Sequence, residues 1–233
     1  MIENLPLYVP LVFLLTALMT VSFLYQPLQR LSFSITSAKV LMLLLPFWLL
    51  FQASLSITGF YLNEQTFPPR LFVFALLPTL LTIAFLFIFT RKDLLSRLPL
   101  RTLTLLHIIR IPVEIVLFWL FQNGQVPQLM TFEGRNFDIL SGITAPIIAW
   151  LAFRNGKINR PLLLIWNVFA LLLLINIVTN AILSVPSPLQ KFAFDQPNVG
   201  ILYFPFIWLP STVVPIVLFS HLVSFYQLLK KDN

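Results

Sequence analysis

Cysteine is absent from this 233-residue chain. That absence excludes disulfides, thiol nucleophiles, iron–sulfur clusters and cysteine-type zinc sites together. It leaves the redox compartment open. Charge is nearly as scarce, at 10% of residues, with 8 acids against 15 bases. A soluble domain carries about a quarter charged residues. Histidine occurs twice and glycine six times, so there is neither a multi-histidine metal set nor a glycine-rich phosphate loop. No HExxH, GxSxG or rhomboid-like serine motif occurs. Span seven has no lysine before Lys230, which excludes a buried retinal Schiff base of the microbial-rhodopsin kind. No metal or cofactor is expected.

What the chain has instead is apolar length. Hydrophobic residues make up 58%, and 24 are Phe. Crossing a bilayer takes about 20 mostly apolar residues. Seven stretches qualify, over residues 6–25, 38–61, 71–90, 103–121, 137–153, 161–183 and 201–229. The fifth is the shortest. The seventh contains Pro205, Pro210 and Pro215 and is expected to be kinked or broken. Glu3 stands where a secretory signal would carry a basic residue, so the first stretch is expected to stay as a span.

The bases choose an orientation. Arg30, Lys39, Arg91, Lys92, Arg97, Arg101, Arg154, Lys157, Arg160, Lys230 and Lys231 fall on one set of connections. Arg70, Arg135 and Lys191 fall on the other, and Arg110 lies inside a span. Eleven against three is a positive-inside signal, and it puts the N-terminus outside and the C-terminus in the cytoplasm. That requires an odd number of spans. The net charge of +7 follows this rule rather than forming one patch, so no nucleic-acid partner is expected. The expectation is therefore all-α: one domain over residues 1–233, a bundle of seven transmembrane helices in the plasma or inner membrane. No internal repeat is visible; Pro46 of span two has no counterpart inside span six.

The fourth span, LLHIIRIPVEIVLFWLF, is the anomaly. It carries His107, Arg110 and Glu114. At 100° per residue, these three share an arc of about 120° with Thr104 and Gln122. About thirteen aliphatic or Phe residues contribute roughly −4 to −8 kcal/mol to insertion. Arg and Glu cost roughly +2.5 to +3.5 kcal/mol each near the centre. The span is close to break-even alone, so its polar stripe must face other helices. Arg110 and Glu114 are i,i+4 and can meet as an internal ion pair. The alternative is a ligand, ion or proton site, which intramembrane ionisable groups often mark. Pro112 removes a donor and crowds the Ile108 carbonyl, which predicts a local kink.

Depth counting at 1.5 Å per residue puts Glu114 about 20 Å from the basic side, with Gln52 near the same level and Asn176 at roughly 24 Å. Asn180 lies one turn beyond Asn176. A polar layer of these residues is the expected binding site, and helix-to-helix glue is the plain alternative for each amide. Beyond it, TFEGRNFD places Glu133, Arg135, Asn136 and Asp138 in one outer segment. That segment is read either as a cap over an outward pocket or as a solvated loop whose Asn136 or Asp138 caps span five. His221, near the basic end of span seven, is read as structural.

Three functions are compatible. The first is binding or transport of a small amphiphilic or ion-coupled solute around Arg110 and Glu114. The second is a non-catalytic scaffold or assembly subunit, with another membrane protein or a second copy as partner. The third is an intramembrane lipid-modifying enzyme with His107 and Glu114 as acid and base. Membrane lipid is the expected surroundings in every case.

Overall fold

The computed structural model describes residues 2–63, 66–90 and 93–230. Arg91, Lys92 and Lys231 of the basic set lie outside the described residues. Helices alone make up the regular structure described: α1 Tyr8–Ser32, α2 Thr36–Ile57, α3 Phe72–Phe89, α4 Leu100–Gln122, α5 Ile139–Ala152, α6 Arg160–Ile182 and α7 Leu209–Leu229. All except α5 are long and apolar enough to cross a membrane.

Local chemistry sets the ends. Gly59 takes φ +72°, the left-handed conformation that stops α2 without a Cβ clash. Asn159 caps α6 by accepting from the Leu162 amide at 3.1 Å, with Pro161 in the first turn. Two helices open on π turns, Phe72–Leu76 in α3 and Leu209–Val213 in α7, and these turns pack against each other. The kink expected at Pro112 takes the form of a 3₁₀ turn at His107–Ile109, inside α4. Proline at 112 denies the Ile108 carbonyl its usual donor, and the preceding turn tightens.

The layers differ in burial. Of the most apolar windows of α4 and α7, 61% is buried, against 17% for α2 and α3. Thus α4 and α7 form the centre, and α2 and α3 an apolar, exposed rim. The fifth helix lies within two residues of the expected 137–153 but is not long enough to count as a crossing. It has 14 residues, about 21 Å, which is short of the roughly 30 Å hydrocarbon thickness. It starts halfway along α4, where Asp138 meets Arg110. It ends beside Leu100, where Ala152 packs with Leu163 and Leu228. The segment before it, residues 123–138, covers the other half of α4. The buried face of α5 is Ser141, Gly142, Ala145, Ala149 and Ala152. Such small residues let helix backbones approach closely. At Gly142 a Cβ would lie 2.7 Å from Ile111 Cγ1, so glycine permits the crossing.

Candidate functional site

The polar stripe of α4 does face inward: Thr104, His107, Arg110 and Glu114 are buried. Gln122, at the helix end, is exposed. The partners differ from expectation. Arg110 does not take Glu114, one turn along its own helix. Its Nη1 donates to Asp138 Oδ1 at 2.6 Å and to the Ala170 carbonyl of α6 at 3.0 Å. Its Nη2 lies 2.8 Å from His221 Nε2. Arginine only donates, so His221 Nε2 accepts and the ring proton sits on Nδ1. That Nδ1 then donates to Asn167 Oδ1 at 2.9 Å, while Asn167 Nδ2 donates to the Leu163 carbonyl. Four elements meet on one guanidinium.

A second histidine lies against the first. The rings of His107 and His221 are 4.2 Å apart, and Trp166 meets His107 edge-on at 5.1 Å. Ser220 gives its hydroxyl proton to the Val217 carbonyl, so the 3.1 Å contact with His107 is donated by Nε2. His107 Nδ1 is left without a partner. Trp166 is itself anchored through Nε1 to Thr144 Oγ1 at 2.9 Å.

Glu114 is held separately. One carboxylate oxygen accepts from Asn136 Nδ2, which also donates to the Met130 carbonyl. Asn136 Oδ1 accepts the Asp138 amide at 3.0 Å. Glu114, Asn136, Asp138, Arg110, His221 and Asn167 therefore form one continuous chain of polar contacts. The other oxygen of Glu114 has no partner. Glu114 and Asp138 both line a cavity of about 80 Å³ whose remaining walls are apolar, such as Leu71, Leu76, Leu117 and Ile177. Arg110 Nε and Ser141 Oγ are further buried polar atoms without partners nearby. Native cores leave few such atoms without a protein or water partner, and here His107, Arg110, Glu114 and Ser141 each contribute one.

The outer segment divides. Glu133 and Arg135 are exposed, whereas Asn136 and Asp138 are buried and reach the level of Arg110 and Glu114. Reading these two as a solvated loop that caps span five is therefore corrected. Asp138 occupies the cap position of α5, but its side chain makes no capping bond. A buried guanidinium outcompetes a helix end, because charge-assisted pairs are the stronger interaction.

The amides expected in the same layer lie apart from this chain. Gln52 donates to the Phe74 carbonyl at 2.8 Å and accepts from the Tyr61 hydroxyl at 2.6 Å. Burial pushes the Tyr61 phenol above its ordinary range, and the Gln52 bond acts in the opposite sense. Asn176 donates to the Arg135 carbonyl at 2.7 Å, and Asn180 bonds back to Asn176. They tie the outer segment to α6.

His221 and Asn167 join the site although sequence reasoning set the first aside and did not consider the second. One signal was available. His221 lies nine residues from Lys230, and Arg110 nine from Arg101, so both sit about 14 Å from the basic side. A larger cavity, about 360 Å³, lies between α1, α2, α3 and α7. Two of its lining residues are joined, Trp48 Nε1 donating to the Ser211 carbonyl at 2.9 Å. Leu, Phe, Pro and Ile dominate its walls, and no titratable group lines it. Among the described residues, no group of three or more His, Asp or Glu is arranged for a metal.

These features define an all-helical protein of membrane type with a polar centre. Residues 68–229 match the family model of a domain of unknown function, DUF8737, and the chain belongs to that family. The match contains α3 to α7 and every member of the polar chain. No curated protein matches the sequence. No solved structure matches it.

Proposed function

We propose that this is a multi-span membrane protein that binds or carries a small ion-coupled or amphiphilic solute at Glu114. One observation carries the reading: Arg110 is consumed by Asp138, so Glu114, a residue that lines a cavity, is a carboxyl without a paired cation and with one buried oxygen that has no partner. An ionised group without compensation is costly in an apolar interior, so a site that keeps one has a use for positive charge there. The closed cluster around Arg110 would by itself suit a scaffold; the Glu114 cavity favours binding.

The orientation proposed is N-terminus outside and C-terminus cytoplasmic, in a plasma or inner membrane, from the eleven-to-three distribution of bases. The short α5 and the residues before it would together make the fifth pass. Broken spans of this kind are tolerated where irregular backbone is covered by protein. In this orientation the cavity lies in the outer half.

The absence of cysteine permits a clean test. Leu117→Cys puts one thiol on the cavity wall. A membrane-impermeant cationic methanethiosulfonate added outside is expected to label it, and Glu114→Gln is expected to slow that reaction relative to a neutral reagent. Absence of labelling from either side in a monodisperse protein would overturn the reading in favour of a dry scaffold.

A further inference from the structure

The walls around Glu114 restrict what the cavity can take. An inorganic cation stripped of water needs many oxygens; calcium takes 6–8, and magnesium insists on six. Only two residues with carboxyls line this cavity, Glu114 and Asp138, and Asp138 is already neutralised by Arg110. The residues contributed by α3, α6 and α7 are aliphatic or proline, including Leu76, Ile177, Val178, Pro210 and Val214. No titratable group from those three helices lines it. His221 of α7 lies on the far side of Arg110, held by the guanidinium. No aromatic ring lines the cavity either, so the cage that favours quaternary ammonium is missing.

What fits one carboxylate oxygen in an aliphatic wall is a head that donates N–H and carries a short apolar tail. We infer that the Glu114 cavity takes a small primary alkylammonium, in exchange for a proton on the same carboxyl. The inference rests on the binding reading above and names its substrate class. The exchange balances. The ammonium enters with its positive charge, the Glu114 O–H bond breaks, and the proton leaves to water. The carboxylate then accepts an N–H from the ligand. A site with one unmatched negative charge holds one positive charge at a time, which couples the two ions in opposite directions. A volume of about 80 Å³ limits the tail to a few carbons.

The test uses the full chain in nanodiscs of neutral lipid, in weak buffer with a pH dye, and ethylammonium chloride as the probe. The expected result is saturable release of about one proton per chain, the linkage signature of exclusive binding. Glu114→Gln should abolish the release. Val178→Phe, which fills the cavity and leaves the carboxyl in place, should abolish it too, while Glu3→Gln at the exposed surface should not change it. Tetramethylammonium, which has no N–H, and sodium should release at least roughly tenfold less at equal concentration. Equal release by sodium would overturn the ammonium class while leaving Glu114 as a cation site. Release by ethylammonium that persists in Glu114→Gln would overturn the inference. No release by any cation would also overturn it, and the Leu117→Cys labelling then tells whether the cavity reading falls with it.

Discussion

The rim and the centre of this bundle treat polar side chains differently. In the rim, Gln52, Tyr61 and Trp48 spend their hydrogen bonds on each other or on backbone carbonyls. Their job is complete when neighbouring helices are joined. In the centre, α4, the start of α5, α6 and α7 bring side chains to side chains, and several polar atoms stay without partners. The distinction teaches that depth alone does not decide how a buried polar side chain is partnered. Gln52 and Glu114 were counted to the same depth, yet one is glue and the other faces a cavity.

The contrast can be broken most severely at Asp138. Asp138→Ala leaves Arg110 buried with no counter-charge, which costs about 3–5 kcal/mol. At about 2–4 °C per kcal/mol for a chain of this size, the detergent-solubilised protein should lose about 10 °C in Tm. Replacing Arg110 and Asp138 together by Met and Leu should restore most of that loss, because no charge is then stranded. A double variant as unstable as the single one would mean the pair is more than a closed charge balance.

The rim should respond far less. Gln52→Leu removes two hydrogen bonds, to the Phe74 carbonyl and from the Tyr61 hydroxyl, each worth about 0.6 kcal/mol on average in membrane proteins. Thermal unfolding should move by about 2–5 °C. A loss comparable to Asp138→Ala would erase the division between rim and centre.

The smallest stability effect is expected in the centre itself. Glu114→Gln keeps an oxygen for Asn136 and replaces a carboxyl that has no paired cation by a neutral group of the same shape, so Tm should not fall. Undiminished stability together with lost cation response separates Glu114 from Asp138, its neighbour on the same cavity. A destabilised Glu114→Gln protein would show that the carboxylate holds the fold.

Much of this was legible before any coordinates. The six long helices overlap the stretches hydropathy gave; most ends agree within four residues, but α1 runs on to Ser32 past the expected 25, and α7 begins at Leu209 rather than 201. The wheel of α4 assigned its polar face correctly for Thr104, His107, Arg110 and Glu114. The fifth element was harder, because its outer half is irregular backbone that carries no 3.6-residue period. Asn136 and Asp138 resemble ordinary turn and cap residues in one dimension. Only their burial beside α4 shows another use.

Composition and periodicity alone determined that the chain is helical, of membrane type, and has one helix with an inward polar stripe. Those properties follow from transfer energies and helix geometry, which act within a segment. Which carboxyl Arg110 would take was a tertiary decision. Glu114 is always one turn away on the same helix, but Asp138 arrives at the start of α5 where Gly142 lets the backbones close. The guanidinium pairs across the helix–helix contact, where Ala170 and His221 complete its donors. Competition among partners brought from distant parts of the chain depends on three-dimensional packing, and it is what leaves Glu114 to Asn136, without the guanidinium.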